Sequence, residues 1–260
     1  MPKRFCDDVF YSNYAAAVLF FYRTLEKKYF IDGYGSSVFD NSFYSCFWKF
    51  KIGLEELRMN RIIAKTGSVI VTVTVLAFAV CMLISFNFGS YFVCMLLPVG
   101  YIMMTAGFVC ESDKDHKAAA YAGMTFAAVY AVLVFLVYFA QTTAVRLDSL
   151  NEQAMRILDY QKGGLLFSYD LLGYGMMALS TFFVGLSIKA KTKADKWLKY
   201  LMIIHGVFFI SCFIMPMTGA FSSMSDGDAG IGGVIALEFW CAYFLPVGIL
   251  SYIHFRRENK

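Results

Sequence analysis

The stretch from Gly164 to Ile188 constrains this chain more than any other segment. It is long enough and apolar enough to form a helix that crosses a bilayer, which takes about 20 residues. The lysine-rich sequence KAKTKADK follows it directly, and one carboxylate, Asp170, lies inside it. A charged side chain at the centre of a bilayer costs about 2.5–3.5 kcal/mol, so such residues face protein or water. The stretch therefore predicts a transmembrane helix with Asp170 turned towards other helices.

Five further apolar runs of similar length follow or precede it. The chain is 59% hydrophobic and only 16% charged, whereas soluble domains are about a quarter charged. We therefore predict an all-α membrane fold with six transmembrane helices over residues 59–260. The predicted spans are 62–86, 91–110, 118–141, 164–188, 197–219 and 231–255.

The link between the third and fourth spans is the longest in the chain and contains a helical apolar pattern. It predicts a short amphipathic helix on the membrane surface, capped at its start by Asp148 or Ser149. The residues of this pattern are Leu147, Leu150, Ala154, Ile157 and Leu158.

Basic residues accumulate on one side of the predicted bundle, and in membrane proteins such residues favour the cytoplasmic side. With six spans, this rule predicts that both termini are cytoplasmic and that the protein is a multi-pass protein of a bacterial plasma membrane. The residues on this side are Arg58, Arg61, Lys65, Lys114, Lys117, Lys189, Lys191, Lys193, Lys196, Arg256, Arg257 and Lys260.

Residues 1–58 differ from the rest and predict a non-membrane or interfacial extension. Residues 32–51 lack a helical or strand period and predict a loop. The sequence Leu54–Met59 can be back-translated as TTG GAG GAA TTA AGA ATG, which places GGAGG shortly before ATG. We hypothesise that Met59 is the natural start and that 1–58 is upstream sequence read as protein. The competing interpretation is an interfacial helix over 10–22.

Two carboxylates at membrane depth are the main candidate site. Asp170 and Glu238 lie at similar depths in the fourth and sixth spans, which run in the same direction. Tyr174 lies one turn from Asp170, and Arg146 in the long link could reach both acids. His205 lies in the fifth span. These five residues are candidates for binding a ligand or a proton; catalytic residues are not identified.

Two carboxylates in a low dielectric can share a proton, so the first functional hypothesis is a proton- or cation-coupled carrier or sensor. The alternatives are a membrane enzyme acting on lipid or isoprenoid groups, with His205 or the acids as acid–base groups, and a structural subunit of a complex. The residues favour a non-enzymatic role, because HExxH, GxSxG and phosphate-loop motifs are absent from the sequence.

The seven cysteines contain no CxxC pair, so we expect no metal site and no cofactor. Membrane lipids are the expected partners, and nucleic acid is not expected, because the basic residues serve as orientation signals. The sequence does not identify a substrate or an oligomeric state.

Three segments carry a resemblance to a known group of proteins: VYFAQTTAVRL, DLLGYGMMALSTFFVGL with its lysine-rich turn, and HGVFFISCFIMP with EFWCAYFLPVGIL. Over residues 59–260 the chain resembles a family of small bacterial integral membrane proteins with about six helices and a "dLLGY…LS" signature in the fourth. The resemblance implies a six-helix fold. It implies no catalytic residues, because the family has no established activity.

Overall fold

The structure is a computed structural model that describes residues 40–219 and 230–257, with side chains described over 58–161, 163–219 and 233–257. The chain divides into two units, Met1–Leu54 and Glu55–Lys260. The predicted interfacial helix over 10–22 lies outside the described residues.

All the regular structure in the described residues is helical. Within the described residues, short turns or loops join the first three spans and the fourth to the fifth, and a longer link joins the third to the fourth. In chain order the helices are α1 (Asp40–Leu83), α2 (Asn87–Glu111), α3 (Lys117–Thr142), α4 (Ala144–Leu147), α5 (Glu152–Leu158), a 3₁₀ turn (Tyr160–Lys162), α6 (Leu165–Ser187), α7 (Lys193–His205), α8 (Phe208–Met217) and α9 (Gly230–Arg256).

The prediction of six apolar spans is confirmed. Within the described residues, six helical segments are long and apolar enough to cross a membrane. Large apolar side chains such as Val73, Leu136 and Phe139 are about 60% exposed, as expected for surfaces that contact lipid rather than water. The chain is therefore a multi-pass membrane protein. The six segments are Arg58–Leu83, Asn87–Glu111, Lys117–Leu147, Leu165–Ser187, Lys193–Met217 and Gly233–Arg256.

The turn between the first two spans is tighter than predicted. α1 ends at Leu83, and α2 already begins at Asn87, so the predicted link at 87–90 is helical. The reversal is completed within Ile84–Phe86, where Ser85 adopts a positive φ of 55°. The Ser90 hydroxyl donates to the Asn87 carbonyl at 2.8 Å, so this buried hydroxyl is satisfied within the first turn of α2.

The prediction of a loop over residues 32–51 is wrong for residues 40–51, which belong to α1. Extending an existing helix avoids the cost of nucleation, so a segment with a weak helical pattern can be added to a strong one. Residues 32–39 lie outside the described residues.

The fifth span consists of two helices rather than one. α7 ends at His205 and α8 begins at Phe208, and between them the amide of Val207 donates to the Ile204 carbonyl in a tighter, three-residue pattern. α7 also starts four residues earlier than predicted, because Thr192 and Asp195 form a reciprocal capping box at its start.

The link between α3 and α6 contains the short helix α5, whose amphipathic character stays a prediction, and its cap is not one of the predicted residues. The side chain of Asn151, rather than Asp148 or Ser149, accepts from the Ala154 amide at 2.8 Å and begins α5. Leu147 and Leu150 therefore lie outside this helix. The location of α5 on a membrane surface stays a prediction.

The six spans follow one another around the bundle. α2, α3, α6 and the α7–α8 pair are successive neighbours, and α9 packs on α7. α1 closes the arrangement, since Gly67 and Gly107 bring it against α2 and Gly248 brings it against α9. α6 is the most enclosed span, with 56% of its most apolar window buried against 11% for the fifth span.

Uncharged polar side chains form hydrogen bonds between the central helices. The Tyr101 hydroxyl of α2 donates to Ser180 Oγ of α6 at 2.8 Å, and Ser180 donates in turn to the Gly123 carbonyl of α3 at 2.7 Å. Tyr243 of α9 donates to the Leu201 carbonyl of α7 at 2.7 Å. Buried hydroxyls that are satisfied in this way fix the relative rotation of the helices.

The alternating spans place two kinds of structure at opposite ends of the bundle. One end carries the loops 112–116 and 188–192 and the last turn of α9, and we call it the basic end. The link end carries the turn 84–86 and the long link 143–164. The assignment of the basic end to the cytoplasm stays a prediction from the positive-inside rule.

Candidate functional site

Asp170 is buried near the link end of α6, and its side chain is only partly satisfied. The residue is 2% exposed and lies about 8 Å along the axis from the first residue of α6. The Tyr138 hydroxyl of α3 donates to Oδ2 at 3.2 Å. Oδ1 is buried and has no hydrogen-bond partner among the described residues. A carboxyl group in this position is neutralised most simply by a proton or a small cation.

A second hydroxyl, that of Tyr160, lies close to the same carboxyl group. Tyr160 belongs to the 3₁₀ turn of the long link, and Gln141 of α3 holds this turn in place. The Gln141 amide group donates to the Leu158 carbonyl at 2.7 Å and accepts from the Tyr160 amide at 3.1 Å. Gln141 therefore positions Tyr160 over Asp170 without touching the carboxyl group itself.

Aromatic rings close the site towards the link end. The rings of Tyr91 and Tyr138 lie 5.6 Å apart, and each is 6.0 Å from the ring of Tyr160. The Tyr160 ring contacts Phe167 edge-on at 5.1 Å. These rings keep Asp170 in a low dielectric while presenting hydroxyl groups that can bond to it.

Tyr174, one turn below Asp170, continues the polar cluster towards the bundle centre. Its hydroxyl lies 3.8 Å from the Cys94 sulfur of α2, and its ring packs edge-on against Tyr130 and Trp240. The Tyr130 hydroxyl is buried and has no hydrogen-bond partner among the described residues. The cluster around Asp170 thus has two polar atoms that could accept a further donor or bind a small ion.

Glu238 lies on α9, partly buried, and its Oε1 is also buried without a partner in the described part of the chain. The hydrogen bonds described for Asp170 do not reach it. No direct contact between Asp170 and Glu238 is described in this part of the chain, so a pairing of the two carboxylates stays a prediction.

Arg146 lies at the link end but does not contact Asp170 in the structure. Its Nε donates to the Thr142 carbonyl at 3.1 Å, and its guanidinium lies 4.9 Å from the centre of the Phe88 ring. It thereby joins the end of α3 to the start of α2.

His205 is fully enclosed at the end of α7, and both of its ring nitrogens are occupied. The Trp240 indole of α9 donates to Nε2 at 3.1 Å, and Nδ1 lies 2.8 Å from the Thr181 hydroxyl of α6. An indole N–H can only donate, so Nε2 carries no proton and the neutral ring carries its proton on Nδ1. His205 therefore joins three helices as a hydrogen-bonded tie.

We expect Trp240→Phe to lower the free energy of unfolding by about 1–3 kcal/mol, because it leaves a buried imidazole acceptor unpaired. The measurement is thermal unfolding of the purified protein in detergent. Trp197→Phe is the matched control, because Trp197 is 66% exposed. Equal melting temperatures for the two variants would show that the hydrogen bond from Trp240 to His205 contributes little to stability.

A second cluster of charged residues, which the sequence analysis did not single out, lies at the basic end. Its centre is Asp195 of α7, which is 2% exposed. Oδ2 accepts from the amide and hydroxyl of Thr192, each at 2.9 Å. Oδ1 accepts from Arg257 at 2.8 Å, and Arg257 also contacts the Thr192 hydroxyl.

His254 of α9 connects this centre to α2. Its Nδ1 lies 2.9 Å from Asp195 Oδ1, and its Nε2 lies 2.9 Å from Glu111 Oε2. Ionised carboxylates only accept, so each ring nitrogen must donate and the ring is an imidazolium. The side chains of Asp195, His254, Glu111 and Arg257 form what we call the ionic cluster, which ties α2, α7 and the end of α9.

The neighbouring loops meet through a separate ion pair. Lys189 Nζ lies 2.5 Å from Asp113 Oδ2, and the His116 ring is 2.6 Å from Oδ1. The Lys189 ammonium, with His116, holds the pKa of Asp113 well below its usual range, and Asp113 raises the pKa of Lys189. Lys189 is exposed and Asp113 is partly exposed, so water screens the pair, and it positions the loops more than it stabilises the fold.

No protein family, curated protein or solved structure matches this chain. Among the described residues, no group of three or more His, Cys, Asp or Glu side chains is arranged to hold a metal ion.

Proposed function

We propose that this protein is a small proton-responsive membrane protein, a carrier or a sensor, in which Asp170 binds the proton. The observation that carries the proposal is the buried carboxyl group with one hydroxyl donor on Oδ2 and an unpartnered Oδ1. Intramembrane ionisable groups of this kind mark proton relays and ion paths. A proton on Oδ1 removes the desolvation cost of the charge while leaving the Tyr138 bond in place.

The surroundings of Asp170 suit a change of protonation. Tyrosine hydroxyls can donate to the ionised carboxylate or accept from the protonated one, so the cluster accommodates both states. The titratable groups around Asp170 are Tyr91, Cys94, Tyr130, Tyr138, Tyr160, Tyr174 and Cys212.

Glu238 is the second candidate proton acceptor, because its buried Oε1 is also unpartnered. His205 is less suited to acid–base chemistry, since both its nitrogens take part in hydrogen bonds. We place the protein in a bacterial plasma membrane with both termini cytoplasmic, on the distribution of its basic residues.

The proposal is tested by infrared spectroscopy of the protein reconstituted in vesicles and titrated with acid. We expect a carbonyl stretching band of a protonated carboxyl group that is present at low pH and disappears as the pH rises. This band should be absent from Asp170→Asn. Tyr138→Phe should shift the pH midpoint of this band, because it removes the described donor to the carboxylate. Tyr169→Phe is the matched control, since Tyr169 is adjacent in sequence and 40% exposed.

Proton flux into the same vesicles, followed with an entrapped pH dye, separates a carrier from a sensor. A flux that requires Asp170 indicates a carrier, and a titrating band without flux indicates a sensor. If Asp170→Asn keeps the titrating band of the wild type, Asp170 is not the proton-binding group. If Asp170→Asn does not reach the membrane, Tyr138→Phe against Tyr169→Phe still tests the proposal.

A further inference from the structure

The basic end contains a cavity of about 450 Å³ that the proposed function does not use. Its buried floor is apolar and consists of Ala64, Phe108 and Phe255, which are 0%, 3% and 1% exposed. A charged and polar rim surrounds this floor. Its volume is within the range of pockets that bind small molecules or headgroups.

The rim combines residues from three parts of the chain that the fold brings together. α1 contributes Arg61, the loop between α6 and α7 contributes Lys189 and Lys191, and the end of α9 contributes Arg257. Ser112, Ser187 and Thr192 also line the rim, but their hydroxyl groups already donate within the protein, so the rim offers mainly positive charge.

The acidic residues of the rim are already neutralised within the protein. Both oxygens of Asp195 accept from Arg257, His254 and Thr192, and Glu111 Oε2 faces the His254 imidazolium. Arg61 lies 3.9 Å from Glu111, too far for a direct hydrogen bond. Lys191 has no side-chain partner among the described residues. Arg61 is therefore held only by this long ion pair, and Lys191 by no described side chain, so these two cations are the most available to bind another group.

We propose that this cavity binds the phosphate group of an anionic membrane phospholipid. The cavity lies at the ends of the spans, since Arg61 and Glu111 are the fourth residue and the last residue of the first and second spans. This is the depth of the lipid headgroups, and basic pockets between transmembrane helices bind anionic headgroups. Arg61 and Lys191 contact the phosphate through charge-assisted hydrogen bonds.

The test is native mass spectrometry of the full chain in detergent with equal amounts of phosphatidylglycerol and phosphatidylcholine. We expect the wild type to retain phosphatidylglycerol preferentially. The variant Arg61→Gln with Lys191→Gln should lose this preference by about fivefold for each charge removed. The matched control is Lys193→Gln with Lys196→Gln, which removes the same charge from exposed residues outside the cavity.

A second arm separates a lipid from a free phosphate compound. Thermal unfolding is measured with inorganic phosphate, with glycerol 3-phosphate and with short-chain phosphatidylglycerol. The proposal expects stabilisation by the lipid alone, and stabilisation by the two soluble phosphates to the same extent would overturn it. Equal retention of the two lipids, or equal losses in the two double variants, would also overturn it.

Discussion

Asp195→Ala is expected to lower the free energy of unfolding by about 3–5 kcal/mol, the typical cost of breaking a buried ion pair by removing one partner. The substitution leaves the His254 imidazolium and the Arg257 guanidinium without their shared carboxylate. It also removes the capping box of α7, because Thr192 loses the acceptor of its amide. Since membrane-protein domains of this size have limited stability to lose, the variant should accumulate poorly in the membrane.

The measurement is the amount of folded protein in the membrane, followed by the melting temperature of what is purified. Asp195→Asn should lie between the wild type and Asp195→Ala, because its amide oxygen still accepts from Thr192. Asp115→Ala is the matched control, since Asp115 is an exposed acid in the next loop of the basic end. Indistinguishable behaviour of Asp195→Ala and Asp115→Ala would show that the ionic cluster does not hold the helices.

Gly67→Ala is expected to destabilise the protein by about 1–3 kcal/mol through overpacking between α1 and α2. A Cβ at this position would lie 2.5 Å from the Met104 amide nitrogen and 2.6 Å from the Gly100 carbonyl oxygen. Both are backbone atoms, so neither can turn away as a side chain would. Close approach through small residues is a general way of packing helices in membranes.

Gly233→Ala is the matched control, because a Cβ there would have no atom within 4 Å. Alanine favours a helix over glycine by about 1 kcal/mol, so this control should be neutral or slightly stabilising. Thermal unfolding of both variants in the same detergent gives the comparison. A Gly67→Ala protein as stable as Gly233→Ala would mean that the two helices separate without cost.

The burial of Asp170 could be predicted from the sequence, whereas its partners could not. A carboxylate inside an apolar run must face protein or water, and this follows from the cost of charge in lipid. Tyr160 reaches Asp170 only because Gln141 fixes the course of the link, and that bond joins residues 19 positions apart. Residue spacing gives the depth of a side chain in the membrane, but rotation about the helix axis depends on packing.

The same limit explains why the sequence does not predict the surroundings of Glu238 or the contacts of the ionic cluster. Counting residues predicts similar depths for Asp170 and Glu238, yet it does not show whether they face each other. The capping box at Thr192 and Asp195 is a local pattern that the sequence KAKTKADK contains, but the positive-inside rule uses only the lysines of this segment. The His254 contact with Glu111 spans 143 positions and has no local signal.

The fifth span consists of two short helices, α7 and α8, which are held in the bundle in different ways. α7 is anchored at both ends, by Asp195 at its start and by His205 at its end, whereas α8 has no buried residue. Gly206 joins them and lies against Phe182, where a Cβ would be 2.9 Å from that side chain. A displacement of α8 within the membrane plane would therefore be taken up at this joint, and the ionic cluster at the far end of α7 would be mechanically isolated from it.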